Sequence, residues 1–139
     1  MKLFFIGLVV IVVLVLSTLV FLPSGDTSDS AGAISRTGLH WHPQLEIYVR
    51  GEQVIIPQNV GLGAVHNPVH THEDLPILHL EFSGLVTEEH IKLGNFFKVW
   101  GKDMRSFGEN MRMTVNGKEN TEYEKYVMHD DDKIELHYD

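Results

Sequence analysis

The chain has 139 residues, with nine histidines and no cysteine. Its 11 Lys and Arg stand against 19 Asp and Glu, a net charge of −8, which argues against nucleic acid as a partner and against docking on anionic lipid. The absence of cysteine excludes disulfides and thiolate metal sites.

Residues 3–22 (LFFIGLVVIVVLVLSTLVFL) are apolar apart from Ser17 and Thr18 and carry no charge. At helical rise such a run spans roughly 30 Å, the thickness of a hydrocarbon core. It is longer than a signal-peptide core and ends in Pro23, and the A-x-A-like site Ala31-Gly32-Ala33 lies well past it. Residues 1–23 are therefore expected to form an uncleaved transmembrane anchor. Lys2 before the run and Asp26 and Asp29 after it favour a cytoplasmic N-terminus in a single-pass protein. Residues 24–38 (SGDTSDSAGAISRTG) are small and polar and read as a flexible linker. Lys2 and Arg36 balance Asp26 and Asp29, so the whole net charge belongs to residues 39–139. That segment is long enough for one extracytoplasmic, histidine-rich domain.

Within it, residues 44–50 (QLEIYVR) alternate, with Leu45, Ile47 and Val49 on one face. Gly51-Glu52 reads as a tight turn and residues 53–56 as the return strand. Residues 58–76 form a long loop holding His66, His70 and His72, expected to be ordered because it is apolar and rich in histidine. Residues 77–83 (ILHLEFS) read as a third strand, with Leu78, Leu80 and Phe82 facing the core and His79 and Glu81 opposite. Thr87 can cap a helix whose first turn holds Glu88 and Glu89. Leu93, Phe96, Phe97 and Trp100 give it an apolar side, and Gly101 ends it. Gly94 costs that helix about 1 kcal/mol against alanine, which suggests a close approach to the sheet. Residues 111–115 (MRMTV) are a strand followed by an Asn116-Gly117 turn. Residues 123–128 suggest a short strand or extended segment, Asp130-Asp131-Asp132 a turn, and residues 133–138 (KIELHY) the last strand. Hairpin, strand, helix, strand, strand is the order of an α+β fold, a β-grasp-like mixed sheet with one packed helix.

The histidines carry the chemistry. His40-Trp41-His42, His70-Thr71-His72 and His79-Leu80-Glu81 are three alternate-position pairs. On extended backbone the two members of each pair point the same way. Neutral imidazole is the commonest protein ligand of transition metals. If the sheet gathers the three segments, His40, His42, His70, His72, His79 and Glu81 are a candidate metal site. Histidine ligation suits copper or zinc, and Met104, Met111, Met113 and Met128 read as filler. His66, His90, His129 and His137 are left outside the site. A cupin pattern would need glutamate where Pro76 and Ile77 stand. An HxHxDH pattern meets Asp74 but then Leu75, and HExxH, GxSxG and P-loop motifs are absent. No catalytic residue is assigned; in a catalytic site, Glu73 or Asp74 would be the general base. Two other readings stay open. One is a non-catalytic accessory subunit of a membrane complex with structural histidines. The other is a metal-dependent extracytoplasmic enzyme.

His40-Trp41-His42, Val54-Ile55-Ile56-Pro57, His70-Thr71-His72-Glu73, Leu78-His79-Leu80-Glu81 and the run Leu93-Gly94-Asn95-Phe96-Phe97-Lys98-Val99-Trp100-Gly101 together resemble a group of small secreted or membrane-anchored prokaryotic domains. That group shows HxH, HTHD, IHxE and LGxFFxxWG motifs. The resemblance covers residues 39 to about 137, with Glu73 in place of the usual aspartate and Asp74-Leu75-Pro76 in place of a glycine-containing turn. It implies an extracytoplasmic site and supplies no activity.

Overall fold

A computed structural model describes residues 32–139; the anchor assigned to residues 1–23 and most of the linker lie outside the described residues. The fold is mixed α+β. Its larger sheet contains β3 (Gln44–Val49), β4 (Glu52–Val54), β8 (Arg112–Val115), β9 (Lys118–Asn120) and β10 (Lys133–Tyr138), in the order β4-β3-β10-β8-β9. β3 and β10 run parallel through the middle, and the other neighbours are antiparallel. The period-2 pattern fixes the register. Leu45 and Ile47 on β3, Met113 on β8, and Ile134, Leu136 and Tyr138 on β10 are all buried.

The first hairpin turns one residue earlier than the sequence suggests. Its two loop residues are Arg50 and Gly51, both at positive φ (52° and 82°). A two-residue hairpin loop of this type needs φ > 0 at both positions to match the strand twist, so Arg50 leaves the strand. Asn116 and Gly117 take the same conformation between β8 and β9, as expected.

The third predicted strand does not join this sheet. β6 (His79–Phe82) is the centre of a separate three-stranded antiparallel sheet, flanked by β2 (Leu39–Trp41) and β5 (Val69–His70). The two sheets meet where the chain passes from β2 to β3. Leu78 N–H donates to Pro43 O at 2.8 Å, and Leu45 N–H donates to Pro76 O at 2.9 Å. A third, two-stranded pairing joins β1 (Ala33–Ser35) to β7 (Val86–Thr87). β1 therefore lies inside the stretch read as linker.

The one α-helix among the described residues, α1 (Leu93–Trp100), is shorter than the helix expected from Thr87. Glu88–Ile91 form a 3₁₀ turn instead, closed by His90 Nδ1 accepting the Thr87 N–H at 3.0 Å. Lys92 then becomes extended (φ −70°, ψ 139°) and bridges Val127. Met128 N–H donates to Ile91 O at 3.0 Å, and Leu93 N–H donates to Tyr126 O at 2.9 Å. These tertiary bonds break the helix, and they displace the strand expected over residues 123–128. Tyr123–Lys125 are a 3₁₀ turn, with a bridge following. Leu93, Phe96 and Phe97 are buried and Trp100 half-buried, as the helical spacing predicts. Their rings reach β10 through Phe107, 5.6 Å from Trp100 and 5.7 Å from Tyr138.

Gly94 does permit a close approach, but to the 3₁₀ turn rather than to a sheet. A Cβ there would sit 2.9 Å from the Glu124 carbonyl oxygen. Gly94→Ala is therefore expected to lower the melting temperature, although alanine is the better helix former by about 1 kcal/mol. A melting temperature raised by this substitution would show that the turn yields easily.

Candidate metal centre

The small sheet gathers the histidines through its register. Antiparallel pairing sets His70 of β5 opposite His79 of β6, and His40 of β2 opposite Glu81. Leu80, facing the other way, is completely buried, which holds the alternation and turns His79 and Glu81 to one side. The His70 and His79 rings lie nearly parallel, 5.4 Å apart. His72 comes in edge-on, 4.7 Å from His70 and 4.6 Å from His79. From the other flank His42 reaches to 5.0 Å from His79, with His40 4.7 Å beyond it.

The long loop is ordered by bonds that its sequence contains. Buried Thr71 accepts the Val60 N–H at 3.0 Å through its hydroxyl and donates to Pro57 O at 2.9 Å. Gly61 lies against β5 at positive φ. A Cβ on it would meet the Val69 carbonyl at 2.7 Å, so only glycine lets the loop close on the histidine strand. His42 is positioned by its backbone N–H, which donates to Asp130 Oδ1 at 2.8 Å.

The outer ring nitrogens of the buried imidazoles have defined partners. His70 Nδ1 lies 2.9 Å from the Asn67 carbonyl oxygen. A carbonyl only accepts, so Nδ1 carries the proton and the neutral ring leaves Nε2 bare. That nitrogen lies 3.1 Å from His72 Nε2. His79 Nε2 lies 3.1 and 3.2 Å from the two oxygens of Asp74. It donates to the carboxylate, so in the neutral ring His79 Nδ1 holds the free lone pair. Nδ1 is buried with no hydrogen-bond partner, 3.7 Å from Glu81 Oε1. Both buried imidazoles thus give their outer N–H to a carbonyl or carboxylate, the arrangement that orients metal-bound histidines.

One ligand atom from each of His70, His72, His79 and Glu81 lies within 4.8 Å of the others, and the same holds for His40, His42 and His79. Nitrogens about 2.0–2.1 Å from a tetrahedral zinc ion lie about 3.3–3.4 Å apart. The Nε2 pair of His70 and His72 is near that separation without rearrangement. The six residues expected from the sequence come together in these two overlapping groups, which can hold a metal ion. The sequence reading missed two supporting residues. Asp74 orients His79 rather than standing free as a base, and Asn67 acts through its backbone carbonyl, which leaves no side-chain signal.

The remaining histidines have other surroundings. Exposed His66 is 6.5 Å from His70, and His90 closes the 3₁₀ turn. His129 stacks on Trp41 at 5.9 Å beside Asp132. His137 stacks on Tyr48 at 5.0 Å, 3.3 Å from Glu135. Met104, Met113 and Met128 are buried in the core, and Met111 packs against it.

Burial lowers the pKa of His70 below the ordinary imidazole value, although the Asn67 carbonyl opposes the shift. The hydrogen bond from His79 holds Asp74 below the ordinary carboxylate range. A lowered folded-state histidine pKa adds stability that is full above the unfolded value of about 6.5. That stability is lost as pH falls from there through the folded value. The Asp74 contribution is retained to lower pH, since it fades only below about 3.9. In the metal-free protein the melting temperature is therefore expected to drop as pH falls below about 6.5, with a smaller drop in His70→Gln. An equal drop in both proteins would take His70 out of this linkage.

No protein-family model matches the chain, no curated protein matches it, and no solved structure matches it.

Proposed function

We propose that this protein binds a transition metal ion, copper or zinc, through His70, His72, His79 and Glu81, with His40 and His42 beside them. The observation that carries this reading is the buried, unpartnered His79 Nδ1, in a ring fixed by Asp74. A buried polar atom without a partner is costly unless something binds it. Glu81 Oε1 is 3.7 Å from this atom, and the ring that carries it lies 4.6 and 5.4 Å from the His72 and His70 rings, a donor set that suits copper(II) or zinc. Four protein ligands fill a tetrahedral shell, which favours holding an ion over opening it to a substrate. The larger sheet, with its central parallel pair and α1 entering between β4 and β8 in chain order, we read as β-grasp-like. That reading bears on fold alone.

The domain is further proposed to be extracytoplasmic, held by an anchor over residues 3–22 with the N-terminus in the cytoplasm. The support is the length and apolarity of that run. Among the described residues no helix is long and apolar enough to cross a membrane, so the anchor rests on that run alone. The native protein should fractionate with membranes and resist alkaline carbonate extraction. A mature N-terminus recovered near Ser30 or Ile34 would overturn the anchor. Metal binding is tested by elemental analysis of the purified, untagged protein and by calorimetric titration after metal is stripped. A soluble fragment for this purpose should begin no later than Gly32, whose carbonyl accepts the Glu88 N–H and which directly precedes β1. A stripped protein that takes up neither copper(II) nor zinc would overturn the reading.

A further inference from the structure

The two ligand groups are overlapping and differently exposed. The His40 side chain is 64% exposed and Glu81 43%, whereas His79 is 10% exposed and His70 is buried. His79 belongs to both groups. Asp74 occupies its Nε2, so His79 has one free nitrogen and serves one ion at a time. Glu81 Oε1 lies between the groups, 3.2 Å from His40 Nε2 and 3.7 Å from His79 Nδ1.

We propose that His40 and His42 are a landing pair that loads the inner site, rather than ligands of the resident ion. The inference rests on the metal-binding reading above. An ion arriving from solvent meets the exposed His40 first, then His42 and His79. It moves inward by ligand exchange, as His70 and His72 replace His40 and His42. His79 stays bound through the exchange and Glu81 lies against both sets, so the ion is never stripped bare. Metal–ligand bonds are exchanged, the hydrogen bond between the Nε2 atoms of His70 and His72 gives way to the ion as His72 moves its proton to Nδ1, and no electron moves. Holding the ion a few ångströms from the inner ligands makes capture an intramolecular step, which raises the rate of loading without new contacts in the final complex. Release follows the same path in reverse.

The test uses the full-length chain purified in mild detergent, with copper(II) as the probe because it stands highest in the divalent affinity order. Stopped-flow absorbance follows loading of the stripped protein and removal of copper by a chelator, and equilibrium titration gives affinity and stoichiometry. Relative to wild type, His40→Ala/His42→Ala is expected to keep a single bound ion with Kd within about threefold, while loading and release both slow by about tenfold or more. Unchanged rates would overturn the landing pair. So would a large loss of affinity, which would make His40 and His42 resident ligands. A second copper in wild type that the variant lacks would make the pair a separate site and also overturn it. Wild type that binds no copper would overturn this inference, and one that also takes up no zinc would remove the metal-binding reading with it.

Discussion

Replacing His72 and His79 together with alanine is expected to abolish stoichiometric metal binding, the largest functional effect any substitution in this chain should have. The two rings are 4.6 Å apart and meet at the centre of the inner group. Without them only His70 and Glu81 remain of that group, and two ligands cannot close a tetrahedral shell. Asp74→Asn tests the support for His79. It removes the charge that fixes the tautomer but touches no ion, and a change of that kind typically costs about 10–100-fold in affinity. Each single ligand variant should lose more than Asp74→Asn. His137→Ala, stacked on Tyr48 on the larger sheet, should titrate as wild type. Binding should weaken as pH falls through about 6, because protonated imidazole cannot ligate. It should also raise the melting temperature, since an ion that binds only the folded state stabilises it by mass action. Retained affinity in the double variant would return the histidines to an ordering role in the loop.

Part of the candidate site was legible because His79 and Glu81 obey a short-range rule. Alternation puts His79 and Glu81 on one side of a strand, and it does so whichever sheet the strand joins. The sheet itself was not legible. β5 has only two residues and β2 three, too few for a periodic signal, and β5 lies inside a stretch rich in glycine and proline. Without those strands, β6 looked like a member of the larger sheet. The pairing partners decide the rest. They put His70 opposite His79 and His40 opposite Glu81, long-range facts that no local pattern encodes. The same limit applies to the helix. Leu93, Phe96, Phe97 and Trp100 announce its buried side. Its true start after Lys92 follows from bonds to Tyr126 and Met128, far along the chain. The alternating strands of the larger sheet and the Asn116-Gly117 turn were readable because their determinants are local.

Phe97→Ala is expected to be among the most destabilising single changes in the domain, at about 3–5 kcal/mol. Phe97 is 2% exposed and Phe96 completely buried, and the two rings lie 5.7 Å apart, edge to face. Phe97 also lies 6.0 Å from Trp100 and 6.3 Å from Phe107, so its removal leaves a hole among three aromatic rings. The sequence alone puts Trp100 on a par with Phe97. The structure separates them, because Trp100 is only half-buried and water can fill part of the space it leaves. Urea unfolding should therefore rank Phe97→Ala well below Trp100→Ala in stability. A domain of this size typically has only about 5–15 kcal/mol in hand, so the Phe97 variant approaches the limit of folding. The milder Phe97→Leu keeps the order measurable if alanine leaves no folded protein. Phe107 connects this cluster to Tyr138 on β10, so a loss at Phe97 should loosen the packing of α1 on the larger sheet. The histidines are held by the pairing of β2, β5 and β6, which Phe97→Leu leaves intact, so metal titration of that variant should give an affinity near that of wild type. Equal destabilisation by Phe97→Ala and Trp100→Ala would mean that the apolar side of α1 is packed more evenly than its burial indicates.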